Sequence, residues 1–208
     1  MKHKIITFIG MDGAGKTTIT NKLKERLEKK GLKVEIVYGG RGKNNILPIQ
    51  ALGQVYKSAG GKESNIPDKS KKTEKSDFEK ISFIHTISAP LFALDLMLRH
   101  FFIVIPKKKK NDIIITDRYT VDLLLMNKVP MKFKKFLYFF MPKSEKIFYL
   151  YNDLSELHRR KPEHSVEDLK RQKRLFEEIN RSLKPIEIKT INMNESVDKV
   201  MKHIGIDK

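Results

Sequence analysis

Residues 10–17 read Gly-Met-Asp-Gly-Ala-Gly-Lys-Thr, a complete match to the phosphate-loop pattern G-x-x-x-x-G-K-[ST]. This feature narrows the fold most, because the pattern works only where a strand turns into a helix. Both flanks comply. An apolar run, Ile5-Ile6-Thr7-Phe8-Ile9, precedes it, and a helical pattern over residues 18–30 follows. The glycines let the backbone wrap a phosphate, so that N–H groups along Gly10, Met11, Asp12, Gly13, Ala14, Gly15, Lys16, Thr17 and Thr18 meet the anion at a helix N-terminus. Lys16 then reaches the β- and γ-phosphates, and the Thr17 hydroxyl reaches Mg²⁺. The reading is a site for a nucleoside triphosphate.

With 208 residues the chain suits a single domain, 1–208, with a sizeable core. The absence of cysteine excludes a disulfide framework and cysteine-based zinc sites. Met1-Lys2-His3-Lys4 leads straight into the first strand with no signal-peptide pattern, so the expected location is the cytoplasm. The longest apolar runs, residues 101–105 and 136–141, are too short to span a bilayer, and no membrane role is expected. The formal net charge of +18 suits polyanionic partners, whether nucleotides, nucleic acid or an acidic membrane face. Much of that charge is diffuse. The lysine runs at 107–110 and 69–75 read as solvated loops.

Strand and helix patterns alternate, which predicts an α/β fold with a largely parallel sheet. Strands are expected at residues 4–9, 33–38, 112–116, 146–151 and 186–192. Helices are expected at 18–30, at about 78–102 with a bend at Pro90, after residue 117, at 166–183 and at 196–204. Gly31 is the expected left-handed stop of the first helix. Periodicity fades over residues 43–77, and 57–76 is rich in Lys, Ser and Gly, so this stretch reads as a mobile insertion.

Two further signals carry chemistry. The run Ile113-Ile114-Ile115-Thr116-Asp117 is an apolar strand ending in a carboxylate. That places Asp117 at the carboxyl edge of the sheet, beside the phosphate loop, where it can hold the Mg²⁺ shell or orient an acceptor. Arg118 follows, and its planar fork suits a phosphate. The second signal is the cluster His158-Arg159-Arg160-Lys161, with Arg171 and Arg174 beyond it. Arginines arriving from a closing segment offset the charge that builds on a transferring phosphoryl group.

Residues 8–18, the Asp117-Arg118-Tyr119 triplet and the basic segment near Arg159 resemble, in the same order, thymidylate kinase and its archaeal and bacterial relatives. The resemblance implies a five-stranded parallel sheet of order 2-3-1-4-5, with helices on both faces and a basic lid over about residues 157–170. It implies transfer of the γ-phosphate of ATP to a nucleoside monophosphate, most simply dTMP + ATP to dTDP + ADP, and a homodimer. Asp12 then lies near the acceptor sugar and phosphate, Arg41 and Arg118 grip the acceptor phosphate, and the adenine sits near residues 192–194. Lys16, Asp117, Arg159 and Arg160 become the catalytic set, and Thr17 and Asp117 the Mg²⁺ ligands.

The sequence also departs from that family. Ile9 stands where the family has Glu, and the Ser and Tyr-Gln that follow the Asp-Arg pair are replaced over residues 120–124. Leu91-Phe92-Ala93-Leu94-Asp95-Leu96 resembles Leu-Phe-Ala-Ala-Asp-Arg. It keeps Asp95 on the substrate side, but Leu96 replaces the arginine that reads thymine. Arg99, nearly a turn later, substitutes in part. The Asp-Arg-Tyr-x-x-Asp pattern and the segment Arg160-Lys161-Pro162-Glu163 look closer to a thymidylate-kinase-like subgroup.

A kinase for another acceptor stays open: a nucleoside, a nucleic-acid 5′-hydroxyl end or a phosphorylated metabolite. A GTPase switch does not fit, because Asn127-Lys128-Val129-Pro130 has proline where guanine recognition needs Asp. The aromatic stretches 101–102 and 133–140 suggest core or a subunit interface more than a platform for stacking bases, so nucleic acid is not favoured.

Overall fold

β1 (Lys4–Gly10) and β3 (Ile113–Asp117) are almost unbroken apolar runs because both of their faces are covered, as in parallel sheets generally. The structure, a computed structural model, describes residues 4–40, 45–48, 88–126 and 129–206. With β2 (Val34–Tyr38), β4 (Lys146–Tyr151) and β5 (Ile186–Lys189), the strands form one parallel sheet of order β2-β3-β1-β4-β5. This is the predicted order. Successive residues point to opposite faces. The register sets Ile5 beside Ile114 and Thr7 beside Thr116, and the two threonine hydroxyls bond at 2.7 Å.

Ile5, Ile114 and Val37 pack with Val104 and Tyr119 in a small cluster. The main core joins Ile6, Phe8, Ile113 and Ile115 to the buried residues Ile19, Leu23 and Leu27 of α1 (Lys16–Lys29). Those three recur at four-residue spacing, the apolar stripe of a core-facing helix. Gly31 ends that helix at φ +79°, as expected.

The second helix, α2, is helical among the described residues from Ser88 to Lys110, well past the predicted end near residue 102. Pro106 has no N–H to give to the helix interior. The helix accommodates it through a wider π turn at His100–Val104, with the Ile105 N–H bonded to the His100 carbonyl. The lysines at 107–110 are therefore the last helical turn, not a loop. Their charge complements the carbonyl end of the helix, and Lys107 and Lys108 pair with Glu35 and Glu145. The run at 69–75, like the insertion apart from residues 45–48, lies outside the described residues. By length and composition α2 is also long and apolar enough to cross a membrane, which the short runs at 101–105 and 136–141 did not suggest. It is a core helix: Ala89, Phe92, Ala93, Leu96 and Val104 are buried.

After β3, residues 119–123 form a 3-10 turn rather than an α-helix, followed by α3 (Met131–Phe139). Three helices complete the chain: α4 (Leu154–Arg160), α5 (Val166–Leu183) and α6 (Met193–Ile204). α1 and α6 pack against each other. The last strand stops at Lys189, three residues short of the expected end, because Asn192 caps α6 by accepting from the N–H groups of Asn194 and Glu195.

Candidate active site

Parallel register brings three strand ends to one edge: Asp117 of β3 lies between Phe8 of β1 and Tyr38 of β2. The phosphate loop leaves β1 at that edge, the usual ligand position of an open α/β sheet. Gly10 makes the turn at φ +155°, and a Cβ there would stand 2.3 Å from the Leu150 carbonyl oxygen. Gly15 caps α1 in the left-handed conformation. Met11 and Ala14 turn into the core, which anchors the loop.

Asp12, Lys16, Thr17, Thr18, Asp117 and Arg118 line one cavity of about 460 Å³, together with Arg160, Lys161 and Met193. Lys16 Nζ donates to the carbonyls of Gly10 and Met11 at 2.9 and 3.0 Å and stands 3.8 Å from Asp12 Oδ1. Burial pushes the Lys16 pKa down, opposed mainly by Asp117. Asp117 behaves conversely: burial raises its pKa above the ordinary 3.8, against the pull of Lys16 and Arg118. Its Oδ1 is buried with no hydrogen-bond partner. An orphaned carboxylate oxygen beside the glycine-rich loop fits a divalent cation. Mg²⁺ needs only one or two protein ligands where phosphates and water supply the rest. Thr17, one loop residue away from Lys16, is the second expected ligand. Among the described residues no group of three or more His, Asp or Glu is placed to hold a metal by protein ligands alone.

Arg118 is aimed by a strained turn. Arg118 and Tyr119 have φ of +66° and +48°, values that non-glycine residues rarely adopt and that concentrate at functional sites. Gly39 makes room for the turn, since a Cβ there would lie 2.4 Å from Tyr119 Cα. The guanidinium then reaches Asp12 Oδ1 at 3.2 Å and Asp122 Oδ1 at 3.7 Å.

The basic segment separates its two arginines. Arg160 lines the cavity and donates to the carbonyls of Gly13 and Thr190, both at 3.4 Å. Arg159 is 74% exposed in its side chain and makes a two-pronged contact with Glu156. Asp95 and Arg99 stand apart from the cavity, buried and paired with each other on α2. Leu96, 2% exposed, packs beside them. Arg41 lies outside the described residues.

The structure adds residues that the sequence reading passed over. Tyr38 lines the cavity, and burial raises its pKa. As the last residue of a predicted strand at the same sheet edge as Asp117, it was discoverable. So was Glu156, three and four residues ahead of Arg159 and Arg160, the spacing of helical ion pairs. His164, whose Nε2 is 3.7 Å from Asp12 Oδ2, and Met193 lie in segments that the resemblance sets by the site, 157–170 and 192–194, although neither residue was singled out.

No protein-family model matches the chain. A 40-residue segment, 19% of the chain, is 45% identical to adenylate kinase of Methanocaldococcus jannaschii, spanning about a fifth (21%) of that protein's length. Over nearly its whole length the chain aligns with the crystal structure of thymidylate kinase from Ehrlichia chaffeensis. That match covers 97% of each chain at a TM-score of 0.55 and 17% identity. The fold is that of thymidylate kinase. In this fold the glycine-rich loop, the strand-ending Asp-Arg and an arginine-bearing helix meet at one cavity.

Proposed function

We propose that the protein transfers the γ-phosphoryl group of ATP to a nucleoside monophosphate, with thymidylate as the first candidate acceptor. One observation carries this reading: Lys16, Asp117, Arg118 and Arg160 converge on the cavity that the phosphate loop opens into. The loop and α1 receive the triphosphate, with the adenine toward residues 192–194. Arg118, Asp12 and Arg41 hold the acceptor. A phosphate oxygen of the acceptor displaces ADP in line, and Lys16 and Arg160 offset the charge that grows on the moving group. Arg159 joins them when its segment closes. No covalent nucleophile is required. Thr17 and Asp117 would hold Mg²⁺, which when bound neutralises charge on the phosphate oxygens.

A second acceptor class is favoured by one observation. Leu96 is buried and Arg99 is engaged within the fold, so α2 offers no guanidinium to a thymine carbonyl. A coupled assay with ATP against all nucleoside monophosphates, nucleosides and 5′-hydroxyl oligonucleotides separates the readings. Transfer confined to nucleosides or oligonucleotides would overturn the monophosphate assignment.

The same reading places the protein in the cytoplasm, without a membrane role, as a homodimer. Support for the dimer comes from Phe101 and Phe102 on α2 and Phe136, Phe139 and Phe140 on and after α3, all exposed. They do not belong to the core, which leaves the interface alternative. The α3 rings pack edge to face with one another, an arrangement less suited to stacking bases than to a packed interface.

A further inference from the structure

Asp95 and Arg99 form a buried ion pair that, among the described residues, also bonds to two chain stretches, Gly39–Gly40 and Asn45–Leu47. Asp95 Oδ1 accepts the backbone N–H groups of Ile46 and Leu47, each at 2.8 Å. Its Oδ2 accepts Arg99 Nε at 2.5 Å. Arg99 Nη1 donates to the Gly40 carbonyl at 2.9 Å and the Gly39 carbonyl at 3.5 Å, and Nη2 donates to Asn45 Oδ1. Burying two charges is costly unless both are paired and hydrogen-bonded, and here backbone groups of both stretches and the Asn45 side chain bond to the pair.

The stretch it grips leads directly to Arg118. Gly39 follows Tyr38, a cavity residue, and its N–H bonds to the Asp117 carbonyl at 3.0 Å. Gly39 also lies so close to Tyr119 that no Cβ fits between them. A shift of Gly39 therefore displaces the strained 118–119 turn that aims the Arg118 guanidinium. Displacements of about 1 Å at a positioning group cost up to roughly a hundredfold in rate.

We propose that Asp95 and Arg99 are positioning residues for the acceptor, a latch that fixes Gly39–Gly40 and Asn45–Leu47 and, through Gly39, the aim of Arg118. This rests on the reading of the protein as a nucleoside monophosphate kinase. Arg99 thus acts on the acceptor without touching it, and its geometry cannot be replaced by lysine, which lacks the planar fork.

The test compares wild type, Arg99→Lys and, at the half-buried edge of the latch, Asn45→Ala. The measurements are KM for the acceptor, KM for ATP, melting midpoint and amide exchange at Ile46 and Leu47. Arg99→Lys is expected to raise the acceptor KM roughly tenfold to a hundredfold, with the ATP KM unchanged and faster exchange at both amides. Asn45→Ala should move the same two readouts by a smaller factor, and it decides the matter if Arg99→Lys does not fold. Equal losses for both substrates, or a lowered melting midpoint with the acceptor KM unchanged, overturn the latch and leave the functional reading standing. A wild-type protein that phosphorylates no nucleoside monophosphate overturns the functional reading and the acceptor role of the latch together.

Discussion

Lys16 and Asp117 are the two residues whose environments work most directly against their charges. Burial lowers the pKa of one and raises that of the other, and each is the other's leading opposite charge. Lys16 faces the cavity and, among the described residues, bonds only to its own loop, so Lys16→Ala should fold normally. It should lose phosphoryl transfer by on the order of a hundredfold or more, as measured by kcat of the purified variant. Asp117 carries the sharper expectation. The folded protein holds the Asp117 proton more readily than the unfolded chain does, so its stabilising effect is complete below the ordinary 3.8 and lost as pH rises through the raised value. At neutral pH the ionised carboxylate therefore opposes folding. Asp117→Asn should raise the melting midpoint while abolishing transfer. A lower midpoint would mean that the charge serves the fold rather than the site.

At the scale of elements, α4 shows how a short helix sorts two adjacent arginines. Glu156 holds both, yet only Arg160 also reaches the Gly13 and Thr190 carbonyls. Arg160→Ala is expected to lower kcat much more than Arg159→Ala, with little change in ATP affinity for either; steady-state kinetics and nucleotide titration decide this. Bonds from Arg159, then Arg160, pull the Glu156 carboxyl down to about 2. A depressed carboxylate contributes above its ordinary value of 4.5, and the contribution fades as pH falls toward 2. NMR titration of Glu156 should show that low midpoint, and a normal one would place both arginines free in solution. In α2 the lesson concerns pattern. The lysines at 107–110 read as a loop beyond a helix ending near residue 102, but a π turn accommodated Pro106 and Glu35 and Glu145 received two of the lysines.

For the whole molecule, the net charge of +18 includes Lys16, Arg118, Arg160 and Lys161 around the cavity, and Phe136, Phe139 and Phe140 pack together in exposed positions. Phe139 is 74% exposed, with Lys143 Nζ 5.9 Å from its ring centroid. Leaving several such rings in water is unfavourable by roughly 25 cal/mol per Å² of apolar surface, so a partner that covers them gains stability. Phe139→Asp is expected to split the proposed homodimer into monomers in sedimentation equilibrium, with the fold intact by circular dichroism. A wild-type protein that sediments as a monomer at tens of micromolar would remove the homodimer.

The fold was legible in the chain because its signals are local. The loop motif demands a strand before it and a helix after it, the Ile-rich runs of β1 and β3 announce strands buried on both faces, and Gly31 marks a helix end. That these residues meet was legible for the same reason: Lys16, Thr17, Asp117 and Arg118, which line one cavity, sit at positions set by strand ends and loop spacing. What only the tertiary structure decided depends on which distant segments meet. Arg99 and Asp95, which looked like acceptor contacts from their helix alone, became a buried pair once residues 39–40 and 45–47 closed over them. His164 reached Asp12, Met193 reached the cavity, and Phe136, Phe139 and Phe140 stayed outside the core, for the same reason. Periodicity tells which residues share a face, but only packing tells what that face meets.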